Sequence, residues 1–195
     1  MSSGKRIYTS CFCEENVYKI LEPAVENDAE EYAVFVSNNL KECPLAAQRS
    51  GSAPVHLVVW DYHVFHLYRR NNSFFITDYD STLFPSSLNQ NNYQLPVAQY
   101  ISKTFRFQHP QHPTQFRVVP KAKFLAHFSS DRSHMLVSGS STEYQMPIPP
   151  YAPLGASGSS SNLMSSYVCM DDENNGDETF GEILSLARFT ERFTH

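Results

Sequence analysis

One stretch of the sequence decides the centre of the fold: VHLVVWDYHVFHLY at residues 55–68, RRNN at 69–72 and SFFITD at 73–78. The first and last pieces are rich in β-branched and aromatic residues, which predicts two strands. The polar piece between them predicts a tight turn. The stretch therefore predicts an antiparallel hairpin with a histidine, His63, in the middle of its first strand.

The register of this hairpin determines which carboxylate faces His63. A turn centred on Arg70-Asn71 places Asp78 directly opposite, with the two Cβ atoms about 5 Å apart. A turn centred on Asn71-Asn72 places Asp80 there instead. Because residues two apart share a face of a strand, both aspartates lie on the face of His63. The pattern predicts a histidine–carboxylate pair and leaves the aspartate open, and a surface pair without catalytic function has the same pattern.

The elements outside the hairpin complete a prediction of an α+β fold. Further strands are predicted at 32–37 and 116–119, and helical spacing of apolar residues occurs at 13–21, 121–128 and 183–193. We expect a single catalytic domain over residues 1–195, with a central antiparallel sheet and flanking helices. Two low-complexity segments, 155–161 and 171–178, are predicted to be surface loops.

A cysteine opens the first predicted helix. Cys13 lies on the helical face of Val17, and a thiol in the first turn feels the positive end of the helix, which favours the thiolate. The unpaired N–H groups there also suit an oxyanion. Cys11 competes for this role, although the helical face favours Cys13. Glu14 and Glu15 oppose the effect because nearby carboxylates raise the pKa of a thiol. A buried structural cysteine has the same spacing.

Composition argues against several functional classes. The net charge of −5 is unlike that of a nucleic-acid binder, and no apolar run is long enough to span a membrane. Four cysteines without a secretory signal predict reduced thiols in the cytoplasm, with the nucleus as a second location. No paired zinc-ligand spacing occurs, so we expect no metal. No amphipathic stripe is left over for a partner, which predicts a monomer.

Several blocks of the sequence resemble the protein N-terminal glutamine amidohydrolase family. They occur in the order of that family and cover nearly the whole chain. The most specific are CFCEEN at 11–16, VWDYHV at 59–64, DYD at 78–80 and FSSDRSHM at 128–135, with FTERF at 189–193 near the end. From composition alone, the polar run within the fourth block predicts a turn held by an Asp131–Arg132 pair, although it could equally line a site.

The resemblance implies a nucleophile, a base and an orienting acid at Cys13, His63 and Asp78, and so favours Asp78 over Asp80. It implies a fold similar to papain-like and transglutaminase-like cysteine hydrolases, without metal or organic cofactor. Members convert an N-terminal Gln of proteins or peptides to Glu, which can then be arginylated and marked for degradation in the N-degron pathway.

A substrate defined by its free amino terminus needs a group that binds the ammonium. An acidic side chain or backbone carbonyls near Cys13 must serve, and the acidic candidates are Glu14, Glu15, Asp61 and Asp80. Two other enzyme classes use the same three catalytic groups, the cysteine peptidases and the transglutaminase-like acyl transferases. A peptide-binding module without catalysis is a third alternative.

Overall fold

The computed structural model describes residues 8–22, 30–85, 95–155, 163–171 and 178–194. Its α-helices are α1 (Cys13–Leu21), α2 (Val97–Thr104), α3 (Lys121–His127), α4 (Met164–Val168) and α5 (Leu186–Phe193). Its strands are β1 (Glu31–Ser37), β2 (Cys43–Leu45), β3 (Val58–Trp60), β4 (His63–Arg70), β5 (Ser73–Thr77), β6 (Leu95–Pro96), β7 (Gln115–Pro120) and β8 (Glu182–Ser185). Among these residues, no helix has both the length and the apolar character needed to cross a bilayer.

The centre of the molecule is a six-stranded antiparallel sheet with the strand order β6-β5-β4-β1-β7-β8. Strand β1 lies in the middle, where it pairs with β4 on one side and β7 on the other. The predicted α+β class with a central antiparallel sheet is therefore confirmed. Strands β2 and β3 form a separate two-stranded sheet.

Strand β1 divides the hydrophobic core into two layers because its side chains alternate between the faces of the sheet. Val34 and Val36 pack on one face, which α2 and α5 cover. Ala33 and Phe35 pack on the other face, against α1, α3 and α4. Both faces of the sheet are thus buried, which explains why the sequence of β1 is almost continuously apolar.

Two predicted elements were wrong in extent. Residues 55–68 do not form one strand: β3 pairs with β2, and β4 begins a new strand in the main sheet. Between them, the carboxylate of Asp61 accepts the backbone N–H of Tyr62 at 2.9 Å, a local bond that competes with strand pairing. Residues 183–193 are not one helix either. Leu184 pairs with Phe116 in β8, so the edge pairing of the sheet overrides the helical spacing.

Only the ends of the two predicted surface loops lie among the described residues. Residues 156–161 and 172–177 lie outside the described residues. Glu178, the last residue of the second predicted loop, begins a short 3₁₀ helix that ends at Phe180.

A buried ion pair fastens α1 to the chain that follows α3. Arg132 donates from Nε and Nη2 to the two carboxylate oxygens of Glu15, at 2.7 and 2.8 Å. Both side chains are buried, and the guanidinium lies 5.3 Å from the ring of Tyr151. Arg132 thus pairs with Glu15 of α1, while Asp131, its predicted partner, accepts the backbone N–H of Ser133 within the turn.

We expect Arg132→Met to destabilise the fold by about 3–5 kcal/mol, because it leaves the Glu15 carboxylate buried without a counter-charge. The measurement is the free energy of unfolding in urea. Arg188→Met is the matched control, since Arg188 pairs with Glu191 on the exposed surface of α5. The control should change the free energy by less than about 1 kcal/mol. Equal effects of the two substitutions would contradict this account.

Candidate active site

Cys13 is the first residue of α1 and lines a cavity of about 770 Å³. The chain that enters the helix is held by Asn16, whose side-chain amide donates to the carbonyl of Thr9 at 2.8 Å and accepts its N–H at 2.9 Å. Cys11 adopts a left-handed backbone conformation, with φ at 66°. These bonds turn the chain sharply and place the thiol of Cys13 against the cavity.

His63 is the first residue of β4, opposite Val36 of the central strand. Its side chain is buried, and its ring stacks on that of Trp60 with centroids 5.9 Å apart. Cys13 and His63 line the same cavity. Helix α1 contacts β4, and the backbone of Val64 at the start of β4 is close enough to Cys13 to act on the pKa of its thiol, in the lowering direction.

Asp78 follows β5 and is buried beside His63. Its Oδ1 lies 3.0 Å from Nε2 of His63, and its Oδ2 accepts the hydroxyl of Tyr100 at 2.8 Å. Oδ1 also accepts the backbone N–H of Asp80 at 3.0 Å. The structure thus brings together the histidine and the aspartate that the resemblance implies. Because Nε2 faces the carboxylate, the other ring nitrogen is left for a reacting group.

The contact between His63 and Asp78 does not arise from the register that would place them opposite each other. Arg70 pairs with Ser73, so the turn centres on Asn71-Asn72, both of which have positive φ angles. This is the two-residue turn that suits the twist of a hairpin. The same register would place residue 80 opposite His63, but β5 ends at Thr77 and the chain turns. Asp78 reaches His63 from outside the ladder.

The predicted ammonium-binding candidates have different environments. Asp61 and Asp80 line the cavity, and Asp80 accepts the hydroxyl of Tyr8 at 2.5 Å. Glu14 is fully buried behind Cys13. Glu15 is held by the ion pair described above, which removes it from the set of free carboxylates.

Burial and charge oppose each other in setting the pKa values of His63 and Asp78 and act together on Cys13. Burial lowers the pKa of His63, but the charge of Asp78, 3.0 Å away, outweighs burial, so the pKa lies above its ordinary value. Burial alone would raise the pKa of Asp78, whereas the charge of His63 holds it below 3.8. Burial raises the pKa of Cys13 well above its ordinary value, and the charges of Glu14 and Asp80 raise it further.

Comparison with known proteins gives the same family as the sequence blocks. A family model described as N-terminal glutamine amidase matches residues 8–193. The chain belongs to this family. Relatives from Drosophila grimshawi and Drosophila melanogaster, each called protein N-terminal glutamine amidohydrolase, are 35% identical to it. Each alignment covers 95% of this chain and 87% of the relative. The resemblance drawn from the sequence blocks is confirmed, and the chain is a member of an enzyme family.

In this amidase, one wall of the cavity is held by an arginine that the sequence did not single out. Arg117 is fully buried in β7 and donates to the carbonyls of Tyr167 at 3.0 Å, Cys169 at 2.5 Å and Phe180 at 3.5 Å. These bonds anchor α4, from which Met164, Ser165 and Val168 line the cavity. In the sequence Arg117 lies in an apolar strand, where the lone charge was the signal of a buried polar role.

A second part of the cavity wall comes from the 3₁₀ helix at residues 133–135. His134 and Met135 of this helix line the cavity, so the polar run at residues 130–135 contributes to the site as well as forming a turn. Tyr62 connects this helix to α1: its hydroxyl lies 3.4 Å from Nε2 of His134 and donates to Glu14 at 3.2 Å.

One group among the described residues has the spacing of metal ligands. Single ligand atoms of His63, Asp78 and Asp80 all lie within 4.8 Å of one another. The two carboxylates already accept hydrogen bonds from Tyr100 and Tyr8, respectively. A bound ion would have to displace these bonds and the contact between His63 and Asp78. The arrangement therefore suits an ion pair within the protein better than a metal centre.

We expect Asp78→Asn to lower the pKa of His63, because burial then acts with less opposing charge. The measurement is an NMR pH titration of the His63 ring. Tyr100→Phe is the control, since it removes one hydrogen bond to Asp78 but keeps the carboxylate.

The free energy of unfolding should depend on pH through the same group. The contribution of His63 is fully present below pH 6.5 and is lost as the pH rises through the raised pKa. An unchanged titration in Asp78→Asn would refute this coupling.

Proposed function

We propose that this chain hydrolyses the side-chain amide of an N-terminal glutamine in proteins and peptides, releasing ammonia and leaving glutamate. The observation that carries the proposal is a cysteine and a histidine lining one cavity, with the histidine 3.0 Å from a buried aspartate, in a chain of the N-terminal glutamine amidase family. A cysteine, a base and a group that orients the base are the parts needed for nucleophilic hydrolysis of an amide.

In the proposed reaction, the thiolate of Cys13 attacks the carboxamide carbon of the substrate. The N–H groups at the start of α1 are available to stabilise the oxyanion that forms. The C–N bond then breaks as His63 gives a proton to the departing ammonia, which leaves a thioester on Cys13. Water attacks the thioester while His63 accepts a proton, and the C–S bond breaks to release glutamate.

Asp78 has the supporting role in this scheme. Its contact with Nε2 fixes the orientation of the His63 ring and stabilises the imidazolium. Tyr100 holds the second carboxylate oxygen of Asp78, which keeps the carboxylate pointed at the ring. Tyr100 is thus a positioning residue that the sequence did not identify.

The α-ammonium group of the substrate is assigned to Asp80. The carboxamide carbon and the α-nitrogen of glutamine are about 5 Å apart in an extended side chain. Asp80 lines the cavity together with Cys13 and His63, and its carboxylate is close enough to raise the pKa of the thiol. Asp61 also lines the cavity but is exposed at its edge, where its charge is screened by water.

Several finer points belong to the same proposal. The chain is taken as one catalytic domain over residues 1–195, related to papain-like and transglutaminase-like cysteine hydrolases. It acts as a monomer in the cytoplasm, and also in the nucleus, without a metal or organic cofactor. Its product, an N-terminal glutamate, feeds the N-degron pathway.

The direct test is ammonia release from two peptides that are identical except that one begins with a free Gln and the other with acetyl-Gln. We expect release from the free peptide alone. Release from both would indicate a broader deamidase. Release from neither, with cleavage of the peptide bond, would indicate a cysteine peptidase. Formation of an amide with an added lysine-like amine would indicate a transglutaminase-like acyl transferase.

Cys13→Ala should reduce ammonia release by about 10⁴-fold or more, because the covalent route is lost. Cys11→Ala, the matched control in the same turn, should retain turnover. Both variants are checked by thermal unfolding, so that a loss of activity is not confused with a loss of fold. Activity retained in Cys13→Ala would reject Cys13 as the nucleophile.

Asp80→Asn should lower kcat/KM for the free peptide by roughly 30-fold, the loss expected when one member of a buried charge pair is neutralised. Asp61→Asn, which makes the same change at the exposed edge, should have an effect of less than about threefold. Steady-state kinetics of the two variants decide between the carboxylates. A larger effect at Asp61 would reassign the ammonium site.

A further inference from the structure

The proposed nucleophile lies among negative charges. Oε2 of Glu14 is 3.5 Å from the sulfur of Cys13 and accepts the hydroxyl of Tyr62 at 3.2 Å. Oε1 of the same carboxylate is 3.7 Å from Nε2 of His134. Glu14 is fully buried, so water does not screen its charge. Asp80 lies on the cavity side of the same thiol.

The thiol is therefore poorly prepared for attack in the free enzyme. Burial raises the pKa of Cys13, and Glu14 and Asp80 raise it further, while the N–H of Val64 acts in the opposite direction. Burial also raises the pKa of Glu14 to about 7, so at neutral pH this carboxyl carries a negative charge part of the time. A thiolate next to a second buried anion is unfavourable.

The other charged groups around the cavity do not compensate the negative charge of these carboxylates. Lys41 lines the cavity, and Arg132 is occupied by Glu15. The titratable groups that surround the thiol and Asp80 from the packed elements are Tyr8, Cys11, Glu14, Lys41, Arg49, Asp61, Tyr62, His63, Asp78, Asp80 and His134. Carboxylates outnumber the cations in this set, so the cavity attracts a positive charge.

We propose that the α-ammonium group of the substrate activates the nucleophile: once bound beside Asp80, it adds positive charge to a cavity in which carboxylates outnumber cations, and so allows Cys13 to ionise. This inference rests on the proposed function and adds a second role for the amino terminus of the substrate. The terminus is bound, and it also switches the thiol to its reactive form.

The proton transfer in this step is balanced within the site. The S–H bond of Cys13 breaks, and the proton goes to the ring nitrogen of neutral His63 that does not face Asp78. Thiolate and imidazolium form together. The ammonium charge near Asp80 offsets the repulsion between the thiolate and the carboxylates, and no oxidant or further reactant is needed.

The consequence is a specificity that acts on the chemical step. An internal glutamine or an acetylated terminus brings a carboxamide to Cys13 without the positive charge. Such a substrate loses an interaction that matters most when the thiolate forms, so kcat falls more than KM rises. A group that only bound the terminus would give the opposite pattern.

The test follows the alkylation of Cys13 in the wild-type protein at neutral pH and constant ionic strength. Iodoacetamide is the probe, because its neutral carboxamide resembles the side chain of glutamine. Glycinamide supplies an α-ammonium group and the first peptide unit without a side chain, so it leaves the carboxamide position open. N-acetylglycinamide is the uncharged control. Mass spectrometry with fragmentation separates Cys13 from Cys11, which lines the same cavity and reports any general change in access.

We expect glycinamide to accelerate alkylation of Cys13 roughly tenfold, an effect of the size that one added charge commonly has on a nearby titrating group. N-acetylglycinamide should have no effect, and Cys11 should react at the same rate throughout. If glycinamide leaves the rate unchanged or slows it, while the same preparation releases ammonia from the Gln peptide, activation by the substrate is excluded and deamidation stands. If no ammonia is released, the proposed function fails, and this inference fails with it.

Charge-neutralising variants give an independent test. Asp80→Asn and Glu14→Gln should each react faster with iodoacetamide in the absence of glycinamide, and Asp80→Asn should no longer respond to it. Glu191→Gln removes one negative charge from the exposed surface of α5 and should behave as wild type in both respects. Slower alkylation in both Asp80→Asn and Glu14→Gln would overturn the proposal, since the carboxylates would then assist the thiol.

Discussion

The geometry around the cavity depends on one buried ion pair. Glu15 and Arg132 are 117 residues apart in the chain, and each is uncompensated without the other. Glu15 belongs to the first turn of α1, two residues after Cys13, and Arg132 immediately precedes the 3₁₀ helix that carries His134. Their pairing therefore fixes the start of α1, with Cys13, relative to the 3₁₀ helix that also lines the cavity.

Burial also shapes the chemistry of the cavity. Carboxylates that are buried or half-buried around a thiol make the free site repel anions and attract cations. Such a site suits a ligand that carries its charge at the end of the chain, since an amino terminus places an ammonium group directly beside the first side chain. The family to which the chain belongs is named for residues at that position.

Much of this fold could be predicted from the sequence because its strands have strong local patterns. The hairpin at 63–77 and the buried central strand follow from β-branched and aromatic runs. The predictions that were wrong concern segments whose structure is decided by pairing with strands distant in sequence. Ile183 and Leu184 belong to a segment with helical spacing, yet they form an edge strand because they pair with β7. Helix α2 was missed, since its short apolar pattern stands beside a polar stretch.

The candidate site was predictable in its identities and less so in its geometry. Family blocks placed Cys13, His63 and Asp78, and the structure brings the last two into contact. The hairpin alone would have chosen Asp80, because the register at Asn71-Asn72 points to it. The supporting residues had no sequence signal: Tyr100 reaches Asp78 from a separate helix, and this depends on tertiary packing that a linear pattern does not contain.

The hydrogen bonds of Arg117 hold the backbone of α4 and not its side chains. They are donated to carbonyl groups, which every amino acid possesses. Of the α4 residues that line the cavity, Met164 and Val168 are also buried in the core, whereas Ser165 is exposed. A substitution at position 165 can therefore change the lining of the cavity without altering the packing beneath it.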